Sequence, residues 1–99
     1  MTAYVIVDIE VTDPDLYEAY KKLAPAAVAS YGGKYLARGG ETSVLEGESL
    51  PHRLVILEFP STDQAHAWWN SPEYAAAKEM RQRSARTSMV VIAGISQAQ

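Results

Sequence analysis

Four segments of strand character and two of helical character follow one another as β-α-β-β-α-β in a chain of 99 residues. This order predicts one two-layer α+β sandwich. Three observations carry the prediction. Apolar residues alternate with a period of two from Ala3 to Val11, a proline-initiated amphipathic segment opens at Asp13-Pro14, and the apolar run Arg53 to Phe59 is bounded by Pro51 and Pro60. Two right-handed crossovers then place both helices on one face of a four-stranded antiparallel sheet, the ferredoxin-like arrangement.

In the first strand Ala3, Val5, Val7, Ile9 and Val11 share one face, and Tyr4, Ile6, Asp8 and Glu10 share the other. Asp13 is placed as an N-cap. Pro14 fits the first helical position, where a missing N–H costs nothing, and Asp15 and Glu18 set negative charge near the positive end of the helix dipole. Leu16, Tyr20, Leu23, Ala24, Ala27, Val28 and Tyr31 recur at intervals of three and four as one apolar stripe. Pro25 is expected to kink this helix near Lys21 to Ala24, and Gly32-Gly33 to end it. Lys34 to Arg38 reads as a short second strand. Gly39-Gly40 marks a bulge, bend or hairpin, after which Thr42 to Leu45 is expected to resume extended structure, with a loop from Glu46 to Pro51.

Arg53 to Phe59 is the expected central strand, apolar and rich in β-branched residues. Ser61 with Gln64 has capping-box spacing, and Ser71-Pro72-Glu73 is a second helix start. The second helical region is therefore expected in two pieces, about 62–69 and 72–84. Thr87 to Ile95 is the expected last strand, and Ser96 to Gln99 a polar tail. The whole forms a single domain over residues 1–99, with its core at about 3–95.

Composition narrows the function. With 47% hydrophobic and 21% charged residues the chain is globular, and no apolar run approaches the roughly 20 residues that cross a bilayer. The start carries no secretion-signal pattern, so a cytoplasmic location and no membrane partner are expected. The absence of cysteine excludes disulfides, thiolate nucleophiles and thiolate metal sites. Two histidines, His52 and His66, give little basis for a metal centre or haem, so no metal or cofactor is expected. A net charge of −3 argues against a nucleic-acid surface.

The sandwich leaves one sheet face without helices, yet Tyr4, Ile6, Leu54, Ile56 and one of Val90 or Ile92 make that face apolar. A second copy of the chain is the simplest cover, and a homodimer is the expected assembly.

Five segments in order, YGGKYLARGG (31–40), LEG (45–47), VILEFPS (55–61), AWWNSPEY (67–74) and the isolated Arg81, resemble the family called domain of unknown function 1330. The likeness spans about residues 3–95. It implies membership of the dimeric α/β-barrel superfamily, in which two ferredoxin-like protomers pack sheet to sheet. Characterised branches there include cofactor-independent monooxygenases, muconolactone isomerases, haem-dependent enzymes and amino-acid-sensing domains of regulators, so the fold does not choose a chemistry.

The residues suited to chemistry are few. Arg38 ends a strand before a glycine pair, where a guanidinium can grip a carboxylate or enolate, and it falls in the family's GG-x-x-x-A-R-G pattern. A surface ion pair with Glu46 is the plainer alternative. Tyr20 and Tyr74 are proton donors or relays, Tyr20 otherwise being an ordinary amphipathic core residue. Glu46, whose E-G pair belongs to the family pattern, and His52, at the mouth of a strand, are candidate ligand contacts. Trp68 and Trp69 point about 100° apart on a helix, so only one can enter the core. Tyr74 and Arg81, seven apart, lie on one helix face. With Trp68 they have the composition of a small-ligand cleft, or of a stack at a dimer rim.

Together these readings point to a small homodimeric, cofactor-independent enzyme of oxygenase or isomerase type. Its ligand is a small organic acid, phenol or enolisable carbonyl compound. A non-catalytic metabolite-binding or homodimeric interaction module is the alternative.

Overall fold

A computed structural model describes residues 2–95. The elements run β1 (Ala3–Val11), α1 (Pro14–Ser30), β2 (Lys34–Arg38), β3 (Arg53–Phe59), α2 (Thr62–Trp69), α3 (Pro72–Ser84) and β4 (Ala85–Ala93). All pairings are antiparallel and the strand order is β2-β3-β1-β4. This is the ferredoxin-like topology. The expected second helical region is two helices, broken where Ser71 restarts the chain. No helix among the described residues is long and apolar enough to cross a membrane.

The period of two in β1 sets the layers. Ala3, Val5, Val7 and Ile9 are buried beneath the helices with Val55, Leu57 and Phe59 of β3. On the opposite face Ile6 stands between Ile56 and Val90, and Tyr4 stands beside Ile92. Ile6, Val90 and Ile92 are exposed there. The charged residues of this face lie toward its ends, with Lys34 and Glu58 at 3.5 Å in one place and Arg86 and Glu10 at 4.0 Å in another.

Helix α1 begins as expected, with the Asp13 carboxylate accepting from the Leu16 amide at 3.2 Å. Its end is a Schellman turn: the Gly33 amide reaches the Val28 carbonyl at 2.9 Å and Gly32 takes φ +75°. The helix runs through Pro25 as one element. Its buried face is rotated from the expected stripe, since Tyr17 is buried while Leu23 is exposed. The Tyr17 ring packs near Tyr20, centroids 5.4 Å apart, and its hydroxyl receives the Arg53 Nε–H at 3.1 Å. That polar partner lets a tyrosine replace the leucine on the inner side.

Two expected boundaries shift. Thr42 to Leu45 forms no strand; residues 39–52 connect β2 to β3 without regular structure, and Leu45 and Leu50 there are exposed. The last strand starts at Ala85 rather than Thr87 and ends at Ala93 rather than Ile95. The final carbonyl of α3, on Ser84, accepts the amides of Thr12 and Asp13 at 2.8 and 3.0 Å, so the helix passes directly into extended Ala85 without a glycine cap. Ala85 then pairs with Val11. The polar tail expected at Ser96 to Gln99 lies outside the described residues.

Candidate functional site

The site is assembled at the corner between α2 and α3. Ser71, itself buried, caps α3 by accepting the Tyr74 amide at 3.1 Å and donates its hydroxyl proton to the Trp68 carbonyl at 2.8 Å. One side chain thus fixes the end of one helix to the start of the next. Trp68 and Tyr74 consequently pack with ring centroids 4.4 Å apart, and Phe59 of β3 packs on the same indole at 5.2 Å. Trp68 is the inward tryptophan, 2% exposed. Trp69 turns to the rim, where the Lys78 ammonium lies 3.7 Å from its ring centroid and donates to its carbonyl.

From this corner a hydrogen-bonded chain runs through the helical layer. The Arg81 Nε–H donates to the Tyr74 hydroxyl at 3.3 Å, and the Tyr74 hydroxyl shares a proton with the Tyr20 hydroxyl at 3.0 Å. Seven-residue spacing on α3 brings Arg81 over Tyr74, and α1 lies alongside to supply Tyr20. Burial, reinforced by the neighbouring Tyr74, pushes the Tyr20 phenol well above its ordinary value, so it remains protonated.

A groove of about 650 Å³ opens between α2, the end of α3 and β4. Trp68, Trp69, His66, Arg81, Thr87 and Met89 line it. Arg81 is only 5% exposed and forms no ion pair among the described residues. Trp68 Nε1 and Thr87 Oγ1 are buried without a hydrogen-bond partner among the described residues. An orphaned buried donor costs about 1–3 kcal/mol. The Arg81 cation makes the groove receptive to an anion, while Trp68, Met89 and Val91 offer an apolar bed.

Behind the wall formed by Trp68 and Met89 lies a second cavity of about 30 Å³, room for a water or two. Tyr17, Tyr20, Lys21, Tyr35, Arg38 and Arg53 supply its polar lining. The Arg38 guanidinium lies over the Tyr35 ring at 4.6 Å.

The residues singled out from sequence therefore fall into three places. Trp68 and Arg81 line the groove, Tyr20 and Arg38 line the small cavity, and the buried Tyr74 joins the two by its hydroxyl. Glu46 and His52 line neither. Glu46 is exposed on the 39–52 connection, and His52 sits beside Asp8, its backbone amide donating to that carboxylate at 3.0 Å and its ring Nδ1 lying 3.5 Å from it. Thr87, Arg53, Tyr17 and a groove position for His66 escaped the sequence reading. For Thr87 and Arg53 the available signal was register, since both pair with the inward-facing Ile9.

The fold and its clefts define the class first: a ferredoxin-like α+β domain with a groove beside its helical layer that carries the Arg81 cation. The chain belongs to the family described as domain of unknown function (DUF1330), whose model matches residues 2–95. No curated protein matches it. Among solved structures it is similar to the RPA0582 protein of unknown function from Rhodopseudomonas palustris, with TM-score 0.73, 19% identity and coverage of 96% of this chain and 83% of that one. It is similar also to a dimeric ferredoxin-like protein of unknown function from Jannaschia sp. CCS1, with TM-score 0.71, 15% identity and coverage of 95% and 100%. A third is SnoaB, a cofactor-independent oxygenase from Streptomyces nogalater, with TM-score 0.66, 10% identity and coverage of 97% and 95%. At these identities the likeness establishes the fold.

Proposed function

We propose that the groove binds a small organic acid through its carboxylate and that the protein transforms it as a cofactor-independent enzyme of oxygenase or isomerase type. One observation carries this reading: Arg81, which has no ion-pair partner among the described residues, lines the same groove as Trp68, Met89 and Val91. Its guanidinium holds the carboxylate, or the enolate that forms when a proton leaves the carbon beside a carbonyl. Tyr74, anchored by Tyr20, fixes the guanidinium plane through its Nε–H. His66, on the groove wall, supplies an imidazole that can act as the base. The apolar bed of Trp68, Met89 and Val91 favours an aromatic or otherwise apolar acid. That SnoaB is described as a cofactor-independent oxygenase supports the reaction class.

The working unit is a homodimer formed through the helix-free sheet face, where Ile6, Ile56, Val90 and Ile92 form an apolar centre flanked by charged residues. The dimeric description of the Jannaschia protein supports this assembly.

A thermal-shift panel of small carboxylic acids against their primary amides tests the binding. The acids raise the melting temperature of the wild type and the amides do not; equal stabilisation by both would refute an anion site. Incubating each stabilising acid with the protein in deuterated, aerated buffer tests the chemistry. Recovery of every one without deuterium or added oxygen would reject an enzyme.

A further inference from the structure

We propose a second ligand site, for a phosphoryl dianion, at the mouth of the small cavity between α1 and the β2–β3 side of the sheet. It stands apart from the groove and does not depend on the reading given for it.

The position of Arg38 is the first observation. Simple alternation along β2 would put Tyr35 and Ala37 on one face and Arg38 on the other. The register instead shifts between Tyr35 and Ala37, so that Tyr35 faces Leu57, Ala37 faces Ile56 and Arg38 faces Val55. Leu57 and Val55 both point into the helical layer, where they are buried. The bulge therefore turns Arg38 to the same side as Tyr35, and its guanidinium stacks on that ring. Re-aiming a side chain is a common use of a bulge.

Arg53 meets it from the adjacent strand. Its Nε–H donates to the Tyr17 hydroxyl at 3.1 Å, and its guanidinium carbon lies 5.7 Å from the Tyr17 centroid. Gly39, at φ +69°, leaves the space this guanidinium fills; a Cβ there would collide with it. Lys21, one turn after Tyr17, completes the lining, its ammonium 2.8 Å from Glu18. Neither Arg38 nor Arg53 forms an ion pair among the described residues.

Surface arginines ordinarily sample many rotamers. These two are braced by aromatic faces and a phenol, so little conformational entropy remains to be lost when an anion arrives. Three cations against the single carboxylate of Glu18 leave an excess of two positive charges, the complement of a phosphoryl dianion rather than of one carboxylate. The cavity itself holds no more than a water or two, so the phosphoryl group sits at its mouth between the two guanidinium groups.

Nitrogen-15 NMR of the arginine Nε–H groups, with inorganic phosphate, methyl phosphate or acetate added at matched ionic strength and about pH 8, tests the site. Arg38 and Arg53 are expected to shift saturably with phosphate or with methyl phosphate, and at least tenfold more weakly with acetate. Response to inorganic phosphate alone assigns free phosphate, and response to both assigns a monoester-tolerant site. Arg38→Gln and Arg53→Gln should each weaken binding at least tenfold, and Arg83→Gln, on the exposed face of α3, should not. Arg38→Lys keeps the charge and loses the planar fork, and should also weaken binding at least tenfold. Full affinity in Arg38→Lys, equal response to acetate, or non-saturating shifts would each overturn the proposal. Unchanged amide resonances of β3 confirm that a variant has folded.

Discussion

Replacing Arg81 with methionine separates a group kept for a ligand from a group kept for the fold. The side chain is 5% exposed, donates one hydrogen bond, to Tyr74 at 3.3 Å, and faces no carboxylate among the described residues. Methionine fills similar volume without charge. The lost hydrogen bond costs about 0.5–1.5 kcal/mol, softened because the Tyr74 hydroxyl keeps Tyr20 as a partner. Against this stands the similar volume of methionine, which keeps the packing of the arginine's aliphatic stem. Arg81→Met should therefore lie within about 1.5 kcal/mol of wild type in stability. In a domain of this size each kcal/mol moves the melting temperature by about 4–8 °C. Carboxylate binding should meanwhile fall at least tenfold, since one charge-assisted hydrogen bond contributes about 1.5–3 kcal/mol. Urea unfolding at fixed protomer concentration, together with a benzoate titration, reads both quantities. A variant destabilised by more than about 2 kcal/mol that still binds benzoate normally would refute the reasoning and make Arg81 a structural residue.

Ser71→Ala removes both the α3 cap and the bond to the Trp68 carbonyl, and should cost about 1–2 kcal/mol by urea unfolding. Gly33→Ala should cost about 1–3 kcal/mol, because a Cβ there meets the Phe59 ring at 2.6 Å and Val28 Cγ1 at 2.8 Å. The raised Tyr20 phenol predicts an alkaline limit. The unfolded chain releases that proton near pH 10, the ordinary value for a phenol, while the folded chain holds it. The stability is thus intact below about pH 10 and falls as pH rises past it, by up to about 1.4 kcal/mol per pH unit. Tyr20→Phe should remove its share of that slope in unfolding curves between about pH 9 and 11. Light scattering should give wild type about twice the 10.8 kDa protomer mass. Ile56→Asp, beside Ile6 on the helix-free face, should yield monomer or aggregate; an unchanged dimer would place the interface elsewhere.

The layers of the fold were legible because alternation and capping are local. Val5, Val7 and Ile9 declare a face by period alone, and Asp13-Pro14 and Ser71-Pro72 mark helix starts by residue type. What escaped depends on partners distant in the chain. Tyr17 goes inward because Arg53 waits for its hydroxyl, and β4 starts early because Val11 and Thr12 are there to receive Ala85 and Ser84. The choice between Trp68 and Trp69 was settled by Phe59 and Tyr74 on one side and Lys78 on the other, which no spacing within α2 encodes. The β2 bulge is invisible in KYLAR, so Arg38 was noticed for its glycine neighbours and not for the face it occupies. The Tyr74–Arg81 pairing was readable from helical spacing. The lack of an ion-pair partner for Arg81 among the described residues was not, because it is a property of every element around it.

The claim that the groove is an anion site is tested most directly at the Trp68 indole. Two tryptophans give two indole N–H resonances, and Trp69→Phe assigns them. Titrating benzoate into the wild type should shift the Trp68 indole resonance saturably, as the acid docks against the tryptophan that lines the groove. The same titration of Arg81→Met should leave it nearly in place. A Trp68 indole resonance that stays fixed in wild type while a panel of small carboxylates is raised to millimolar concentration would contradict the account.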